Sequence, residues 1–545
     1  MIEEYGFKNF RAFSSGAVHV RPITVLLGAN GQGKTSVLQP LLIMKQTLEA
    51  PEENVREPLR LNGRLVNYGP LQNVFHNGDT SKPLIFSFRI SSESLASQIK
   101  NAARRLLDSL RYTLSFYARE LDLLQRQDEI PDRGNPTIQS IIDRRGSSYQ
   151  EPESIDELVD SLASARKLVR ELSSRRNHSD PGLSRLLGSS PFNASEEELR
   201  SIGEYSKELQ TVNQSEFTIS LLFRHVTSSG VNRRSELSLS RVIIQDRARS
   251  VVRATRAGSS DEWQFDSHLT SAQRKQRIVP AATRSSFEVT FAVEDGRQNP
   301  VETPSLADIF RRILHASLRE LAANFRQERV AHVGPIRDRP RRYYLLDETI
   351  EGRRIQGETF SMLRDSEAIR RTINEWFEED SIRFETTDVA DLLGQIRVYE
   401  REGLDALTIS DTGFGYSQLL PILLTGFSAK PGVTMVFEQP EAHLHPAMQA
   451  RLCNMMVKMA SNSQRKFDKK IIIETHSEYF LKRLRRMIKE GKEIGAEDVA
   501  IYFVERDPKT REPALRPISV ASDGDFEWPE SFYRHVLEDN LVFLS

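Results

Sequence analysis

The sequence has 545 residues, with 75 Lys and Arg against 76 Asp and Glu, and its formal net charge is −1 at pH 7. This length predicts two or more lobes with a substantial core, and the balanced charge excludes a globally acidic or basic protein. One cysteine, Cys453, excludes a disulfide framework and a cysteine-rich zinc module.

The chain begins without a signal-peptide pattern, and no stretch approaches the roughly eighteen apolar residues that cross a bilayer. We therefore expect a cytoplasmic protein without a membrane partner. The opening residues, Phe7 to Arg11 among them, have a strand-like pattern.

The first motif follows a short apolar run, Ile23 to Leu27, and reads Gly-Ala-Asn-Gly-Gln-Gly-Lys-Thr over residues 28–35. Glycines let backbone N–H groups approach phosphate oxygens, the lysine reaches the β and γ phosphates, and the threonine hydroxyl binds Mg²⁺. A plain glycine turn is the alternative, but every fixed position of the motif is filled. We predict a nucleoside-triphosphate site whose binding residues are Asn30, Gly31, Gly33, Lys34, Thr35 and Ser36.

The middle of the sequence, residues 91–325, differs in composition from both ends. Ser91 to Gln127 is rich in Leu, Ala, Arg and Glu and predicts a helix, and a capping box at Ser154 to Glu157 opens another. Apolar residues recur in that second helix at steps of three and four, which fits either a short coiled-coil arm or an amphipathic helix packed on the lobe. Barely three heptads favour the packed helix. The seam consists of Ile155, Leu158, Leu162, Ala165, Val169 and Leu172.

A basic stretch lies among predicted strands at Phe217–Phe223, Leu237–Ile244 and Ser286–Val293. Residues 224–284 hold twelve Lys or Arg against five Asp or Glu. A surface that collects these cations would attract the phosphate backbone of DNA or RNA. A solvated charged face paired with acids is the alternative, since nothing here matches a nucleic-acid-binding fold. The cations include Arg233, Arg234, Arg247, Arg249, Arg253, Arg256, Arg274, Lys275 and Arg277.

Three further motifs follow in the last third of the chain. A glycine-rich loop, residues 411–418, runs into an apolar stretch and predicts the start of a helix. A buried strand, Gly432 to Phe437, precedes Glu438-Gln439-Pro440-Glu441, and a second strand, Lys470 to Ile473, precedes Glu474-Thr475-His476-Ser477. Lys34 and Glu438 are about four hundred residues apart, far more than one sheet crossover needs, so a large insertion separates them.

This order of motifs resembles the ABC-type ATPases in the branch shared by SMC, RecF and OLD proteins. Within that branch the chain is most similar to prokaryotic OLD-like AAA-family ATPases, which often serve in phage defence. The resemblance covers about residues 1–90 and 325–545. Its motifs are Phe7–Arg11, Asn30–Thr35, Val333–Arg337, Gly413–Gln418, Glu438–Pro446 and Glu474–Ser477.

The resemblance implies a role for each matched residue. Lys34 and Thr35 would hold the phosphates of ATP and Mg²⁺, and Glu438 would take the place of the Walker B acid on the metal. His476 would be the switch histidine that faces the γ-phosphate. Gln72 is a candidate for the Q-loop, although its surroundings also fit an ordinary turn.

A signature loop is the remaining part that the resemblance implies, at Gly413, Gly415 and Ser417. In ABC-type enzymes this loop completes the nucleotide site of the opposite subunit. The expected assembly is therefore a head-to-head homodimer, or a larger assembly, with shared nucleotides. A basic cluster at Arg337, Arg339, Arg341 and Arg342 would serve nucleotide or dimer contacts.

One position departs from the pattern of these ATPases. They usually follow the Walker B acid with a Glu that positions or deprotonates the attacking water, whereas this chain has Gln439. A glutamine amide can orient water but cannot accept its proton. Glu438 or Glu441 would then stand in, and we predict slow hydrolysis suited to a switch.

Two histidines after this motif, His443 and His445, raise the question of a zinc site. Alternate residues of one segment point apart unless the chain bends, so a role in shaping the turn is favoured. The acidic trio Asp523, Asp525 and Glu527 resembles the metal-binding acids of a Toprim nuclease, which full-length OLD proteins carry. We expect no such domain here, because only some seventy residues follow His476.

The predicted fold is α/β: an ABC-type P-loop ATPase head built from both chain ends, with a large helical and β-containing insertion. The expected divisions are 1–90, 91–325 and 326–545. Two functions remain open. One is an ATP-driven switch, sensor or scaffold for a separately encoded effector protein, in anti-phage defence. The other is a DNA-binding ATPase of the RecF or SMC kind in DNA repair or processing.

Overall fold

The structure is a computed structural model. It describes residues 1–49, 57–126, 154–175, 196–212, 215–227, 235–246, 249–256, 263–267, 276–278, 280–283, 289–291, 306–337, 339–345, 349–350, 353–354, 358–390, 393–400, 405–462, 466–507 and 509–528. Two compact units divide the chain. The first comprises residues 1–49, 60–84 and 324–545, and the second comprises residues 50–59 and 85–323.

The strands and helices are numbered along the chain. The strands are β1 (Ile2–Phe10), β2 (Phe13–His19), β3 (Ile23–Gly28), β4 (Leu84–Ser91), β5 (Glu216–Thr227), β6 (Ser235–Asp246), β7 (Arg249–Arg256), β8 (Trp263–Asp266), β9 (Gln276–Ile278), β10 (Pro280–Thr283), β11 (Val289–Phe291), β12 (Val330–Val333), β13 (Tyr344–Leu345), β14 (Thr349–Ile350), β15 (Arg353–Arg354), β16 (Arg383–Ala390), β17 (Leu393–Tyr399), β18 (Leu407–Thr408), β19 (Thr434–Glu438), β20 (Lys470–Glu474), β21 (Val499–Arg506) and β22 (Pro513–Ile518). The α-helices are α1 (Lys34–Leu48), α2 (Glu93–Arg126), α3 (Ile155–Arg175), α4 (Glu196–Gln210), α5 (Leu306–Ala323), α6 (Glu358–Asp365), α7 (Glu367–Phe377), α8 (Phe414–Ser428), α9 (Pro446–Ala460) and α10 (Glu478–Glu490).

The core of the first unit is a six-stranded sheet in the order β12-β19-β20-β3-β21-β22. The first five strands are parallel, and β22 closes the sheet antiparallel to β21. Every residue of β3, β19 and β20 is buried, as parallel strands covered on both faces require. Because these strands run in the same direction, the motifs that follow them lie at one edge of the sheet.

Strand register fixes the order of the motifs along that edge. Glu438, the last residue of β19, pairs with Glu474 of β20, and Glu474 pairs with Leu26 of β3. Strand β20 therefore separates the predicted Walker B strand from the strand that carries the phosphate-binding loop. Helices α8, α9 and α10 contribute buried apolar residues to the same core as the sheet.

The part of the second unit that the structure describes combines an antiparallel sheet with four helices. Its strands follow the order β4-β5-β6-β7-β8-β9, and neighbours from β5 to β9 pair antiparallel. On β5 alternate side chains from Phe217 to Phe223 are buried, which is the period-two pattern of a half-buried strand. The predicted strands at 217–223 and 237–244 are confirmed as β5 and β6. Of the third predicted strand, residues 289–291 form β11, and residues 286–288 and 292–293 lie outside the described residues.

Helix α3 carries the apolar seam found in the sequence. Its residues Leu158, Leu162 and Ala165 are buried, and the helix packs against α2 and α4. The hydroxyl of Ser154 accepts a hydrogen bond from the Glu157 N–H at 3.1 Å, which caps the start of the helix. The seam therefore belongs to a packed amphipathic helix, as its length favoured.

The predicted fold class is confirmed. An α/β unit that carries the phosphate-binding loop is built from both chain ends, and a helical and β-containing insertion lies between them in the sequence. Among the helices that the structure describes, none has the length and apolar character to span a membrane.

Candidate nucleotide-binding site

The phosphate-binding loop joins β3 to α1 and depends on glycine at both ends. Gly28 has a φ of +146°, and a Cβ there would lie 2.3 Å from the carbonyl oxygen of Val504 on β21. Gly33 has a φ of +102° and precedes the first turn of α1, which has no side-chain cap. The N-terminus of α1 therefore presents backbone N–H groups and the positive end of the helix dipole to an anion.

Lys34 lies under this loop with only 3% of its surface exposed. Its Nζ donates to the carbonyl oxygens of Gly28 at 3.0 Å and Ala29 at 2.8 Å, and lies 4.0 Å from Glu474 Oε1. Burial lowers the pKa of Lys34, while Glu474 and Glu441 oppose the shift. The ammonium group is thus held in the loop at the position predicted to meet phosphate.

Thr35 contacts a carboxylate that the sequence analysis did not select. Its hydroxyl donates to Glu474 Oε2 at 3.1 Å, and Oε1 of the same carboxylate lies at 3.4 Å. Burial raises the pKa of Glu474 to about 7, and Glu438 adds to the shift while Lys34 and the Thr35 hydroxyl oppose it. Glu474 is the residue of β20 nearest to the loop along the sheet edge.

Glu438, the predicted Walker B acid, is engaged with a histidine instead. Its Oε1 lies 2.6 Å from Nε2 of His332 on β12, the strand on the far side from the phosphate-binding loop. Both side chains are largely buried. His332 escaped the sequence analysis because it lies inside a short strand without a catalytic motif. The sequence feature that could have indicated His332 is its position immediately before the motif Val333–Arg337.

Gln439 lies at the turn after β19 in a conformation rare for its residue type. Its φ is +44°, in the left-handed region that favours glycine. Its N–H donates to Glu474 O at 2.7 Å, and its own carbonyl accepts from Arg337 Nη2 at 2.9 Å. Bonds on both sides of the residue hold the strained turn in place.

Arg337 supports this turn from within the head. Only 8% of its surface is exposed, and Nη2 also lies 3.2 Å from Glu438 O. Burial lowers the pKa of Arg337 to about 10, against the opposing effect of Glu441. Of the basic cluster predicted for nucleotide or dimer contacts, Arg337 is buried against the Walker B turn, and Arg342 pairs with Asp411 at 2.7 Å.

Glu441 and His476 meet beside the same turn. The His476 N–H donates to Glu441 Oε1 at 2.7 Å, and Glu441 Oε2 is buried without a hydrogen-bond partner among the described residues. Burial raises the pKa of Glu441. Burial and nearby Lys34 lower the pKa of His476 to about 4, so its imidazole is neutral at pH 7. His476 Nε2 is another buried atom without a partner in the described part of the chain.

Ser477 fixes the chain that follows His476. Its Oγ accepts from the Phe480 N–H at 3.0 Å as the cap of α10, and donates to Gln449 Oε1 at 2.5 Å. A serine cap is worth about 1 kcal/mol to a helix. The sequence analysis did not select Gln449, which lies on α9 and also donates to Leu444 O.

The predicted signature loop opens α8, as the glycine-rich pattern indicated. Gly413 is exposed at the helix N-terminus, whereas Ser417 is buried one turn later. A Cβ at Gly415 would lie 3.3 Å from His443 O, so this glycine allows close approach of the chain after β19. Gln72, the Q-loop candidate, lies exposed in a 3₁₀ turn, Leu71–Val74.

The two histidines considered for zinc shape the local chain. His443 has a φ of +65°, and His445 caps α9 by accepting from the Ala447 N–H at 3.4 Å. Within the described residues, no group of three or more His, Cys, Asp or Glu could hold a metal ion.

The loop and its neighbours fit a nucleoside triphosphate with Mg²⁺. The uncapped start of α1, the buried Lys34 and the exposed Thr35 suit an anion with a metal, and buried His476 Nε2 adds a polar atom without a partner in the described ranges. Asn30 and Gly31 are exposed on the loop, and Ser36 lies in the first turn of α1. These features define a P-loop nucleoside-triphosphate hydrolase.

The family follows from the sequence match. Residues 23–482 match the family described as "AAA domain, putative AbiEii toxin, Type IV TA system". The chain belongs to this family, since the match spans most of its length. No curated protein shows a match to the chain.

Solved structures of SMC heads are similar over nearly the full chain, at low sequence identity. The SMC head domain from Thermotoga maritima is 8% identical, with 95% of this chain and 99% of that chain covered and a TM-score of 0.35. An Smc head with an extended coiled coil, bound to the C-terminal domain of ScpA derived from Pyrococcus furiosus, is 9% identical, with 99% and 98% covered and a TM-score of 0.32. An SmcHead bound to the C-winged helix domain of ScpA is 10% identical, with 95% and 97% covered and a TM-score of 0.35.

Proposed function

We propose that this chain binds ATP with Mg²⁺ and hydrolyses it slowly, and that a head-to-head dimer of it acts as a nucleotide-driven switch for a separate effector protein in the cytoplasm. One observation carries the proposal. At the edge of the parallel sheet, Lys34 and Thr35 lie near buried carboxylates, and Gln439 occupies the position where a catalytic Glu is usual. The buried carboxylates are Glu438, Glu441 and Glu474. Lys34 and the loop N–H groups bind phosphate, and Thr35 binds the metal that neutralises it.

The arrangement of possible proton acceptors supports slow turnover. Hydrolysis needs a group to take a proton from the attacking water, and a positioned base contributes about 10²–10⁴-fold to the rate. Gln439 cannot do so, while Glu438 is bonded to His332 and one Glu441 oxygen accepts from the His476 N–H. One oxygen of each of these two carboxylates is therefore engaged, which limits both as proton acceptors.

A steady-state ATPase assay tests this proposal. We expect turnover below about 1 s⁻¹, at the low end of the usual enzyme range. Changing both Glu438→Gln and Glu441→Gln should abolish hydrolysis while ATP binding remains, since neither carboxylate is part of the phosphate-binding loop. Rapid turnover that survives the double change would remove the proposal of a slow switch.

A role in anti-phage defence draws its support from two sources. The motifs resemble OLD-like ATPases, and the family description names a putative toxin of a type IV toxin–antitoxin system. The test is a phage challenge of cells that express the chain with the product of its neighbouring reading frame. Protection should disappear with Lys34→Ala, and equal protection by the two forms would contradict a nucleotide-driven switch.

The DNA-binding alternative stays a prediction. Arg253 lies 3.4 Å from Asp266 and Arg256 donates to Ser238, so part of the basic stretch is bonded within its own sheet. Arg249 lies on β7 and Arg277 on β9. Five of the predicted cations lie outside the described residues: Arg233, Arg234, Arg247, Arg274 and Lys275.

A further inference from the structure

We infer that Glu474, rather than Glu438, is the carboxylate that holds the Mg²⁺ of the nucleotide together with Thr35. This inference rests on the proposed ATP-binding function and specifies which acid serves it. The Thr35 hydroxyl contacts both Glu474 oxygens, at 3.1 and 3.4 Å. Hydroxyl and carboxylate oxygens are ligands that Mg²⁺ prefers, and it is commonly bound by one or two carboxylates plus substrate phosphates.

The strand order explains why Glu474 has this place. Strand β20 lies between β19 and β3, so its last residue is one strand closer to the phosphate-binding loop than Glu438. Glu438 and Glu474 are register partners at the ends of adjacent parallel strands. Parallel strands in register place such a pair on the same side of the sheet, and the two carboxylates then differ mainly in their distance from the loop.

Glu438 contacts a residue on the side of β19 that faces away from the phosphate-binding loop. Its Oε1 lies 2.6 Å from His332 Nε2, on the strand that flanks β19 away from β3. Turning Glu438 toward Thr35 would break this buried polar contact and leave His332 Nε2 without its partner, which is unfavourable. Glu474 needs no such rearrangement, because its carboxylate already contacts Thr35.

Buried polar atoms near Lys34 also support a metal site beside Glu474 and Thr35. Lys34 Nζ lies 4.0 Å from Glu474 Oε1 and is electrostatically coupled to Glu441 and His476. Both of these neighbours carry a buried atom without a hydrogen-bond partner among the described residues: Glu441 Oε2, with 8% of the residue exposed, and His476 Nε2. Unpartnered polar atoms beside the Glu474 carboxylate and the Thr35 hydroxyl suit the binding of a metal and phosphate group better than a closed apolar core.

The test measures the metal dependence of nucleotide binding instead of turnover. Equilibrium binding of a non-hydrolysable ATP analogue is compared with Mg²⁺ and with EDTA, for the full chain and for two isosteric variants. Glu474→Gln should lose most of the strengthening by Mg²⁺, a loss of at least about tenfold, and keep the metal-independent affinity. The matched variant Glu438→Gln, one strand away, should keep the strengthening.

A second readout reports on the metal itself. Mn²⁺ bound in the presence of the analogue gives an EPR signal, and its apparent affinity should fall by at least about tenfold in Glu474→Gln but remain near the parent value in Glu438→Gln. Circular dichroism checks the fold of both variants. If Glu474→Gln does not fold, Glu474→Asp serves in its place, and the shorter carboxylate should retain an intermediate metal affinity.

The outcomes separate the inference from the function beneath it. If the parent chain binds no ATP analogue, the proposed function fails. If the parent binds and both the Glu474 variants keep the full effect of Mg²⁺ and the parent affinity for Mn²⁺, the inference alone is overturned. If Glu438→Gln loses the strengthening of analogue binding by Mg²⁺ and Glu474→Gln keeps it, Glu438 is the metal ligand and the inference is overturned.

Discussion

Gln439 is the residue whose replacement we expect to raise the rate of hydrolysis. Replacing it with Glu restores a proton acceptor at the position where related ATPases carry one. The strained backbone should stay in place, since the Arg337 and Glu474 bonds involve only the main chain of residue 439. We expect Gln439→Glu to raise ATP turnover by at least about tenfold, the lower part of the range for general-base catalysis.

The control for this change is Gln439→Ala, which removes the amide without adding a base and should not gain activity. Both variants are compared with the parent by phosphate release at saturating ATP. A Gln439→Glu protein that binds ATP normally but hydrolyses it no faster would show that proton acceptance is not what limits the rate.

Glu474 also makes the stability of the nucleotide-free chain depend on pH. Its folded pKa is raised to about 7, above its ordinary value of 4.5. Between these values the folded state binds more protons than the unfolded state, so stability falls as pH rises through this window. Glu474→Gln removes that dependence, and its stability relative to the parent should increase by about 1–3 kcal/mol from pH 4.5 to pH 8, since one pKa unit corresponds to about 1.4 kcal/mol.

Denaturant unfolding in EDTA at several pH values measures this difference. Thr35 and Lys34 remain in both proteins, so the comparison isolates the carboxyl group. A constant stability difference across the window would mean that Glu474 titrates normally in the folded chain.

Sequence reasoning predicted these site residues but not every contact among them. Lys34 and Thr35 were predicted from a complete phosphate-loop motif, and Glu438 and His476 from the resemblance to ABC-type ATPases. In the structure each of these motifs follows or ends a buried strand. The contact of Thr35 with Glu474 could not be read from spacing, since it depends on which strand lies between β3 and β19. The pairing of Glu438 with His332 joins strands about a hundred residues apart, and no local sequence pattern indicates such a contact.

At the level of elements, the junction between β3 and the phosphate-binding loop tolerates no side chain. A methyl group at Gly28 would overlap Val504 O of the neighbouring strand, at 2.3 Å. Gly31 is a matched control, because its φ is also positive, +72°, but a Cβ there meets no atom within 4 Å. Gly28→Ala should therefore lose clearly more stability than Gly31→Ala, for which a cost of about 1–2 kcal/mol is expected from backbone conformation alone.

Urea unfolding of the two variants gives the comparison. The parallel pairing of β3 with β21 should be disturbed only in Gly28→Ala, and hydrogen exchange of the β21 amides would report it. Equal losses in the two proteins would mean that the sheet adjusts to the added methyl group without cost.

Helices and strands with long periodic patterns could be predicted from the sequence. The order of strands in a sheet, which depends on pairing between distant segments, could not. The helix seam from Leu158 to Ala165 and the alternation along β5 each state which face is buried, and the structure places those faces in the core. The sheet order β12-β19-β20-β3-β21 has no such signature, because buried parallel strands are uniformly apolar and any order would satisfy the same sequence.

At the scale of the whole molecule, the predicted head-to-head dimer can be tested with a single substitution at Gly413. Gly413 is exposed at the start of α8, has an ordinary φ of −57°, and a Cβ there meets nothing within 4 Å. Gly413→Arg should leave the single chain folded but obstruct a partner head that docks on this loop. Light scattering with Mg²⁺ and a non-hydrolysable ATP analogue should give twice the 62.2 kDa chain mass for the parent and the chain mass for the variant.

Ser14→Arg is the control, since it adds the same side chain at an exposed position of β2. It should dimerise like the parent. A parent that stays at the mass of one chain, or a Gly413→Arg protein that dimerises equally well, would contradict the head-to-head arrangement.

Retention of ATP by the phosphate-binding loop tests the central claim most directly. The parent chain is compared with Lys34→Ala, and with Lys8→Ala as a control at an exposed lysine of β1, by equilibrium dialysis of labelled ATP with Mg²⁺. We predict that the parent and the control retain ATP and that Lys34→Ala does not, because the buried ammonium group is the cation built into the loop. Equal retention by the parent and Lys34→Ala, or none by either, would contradict the account.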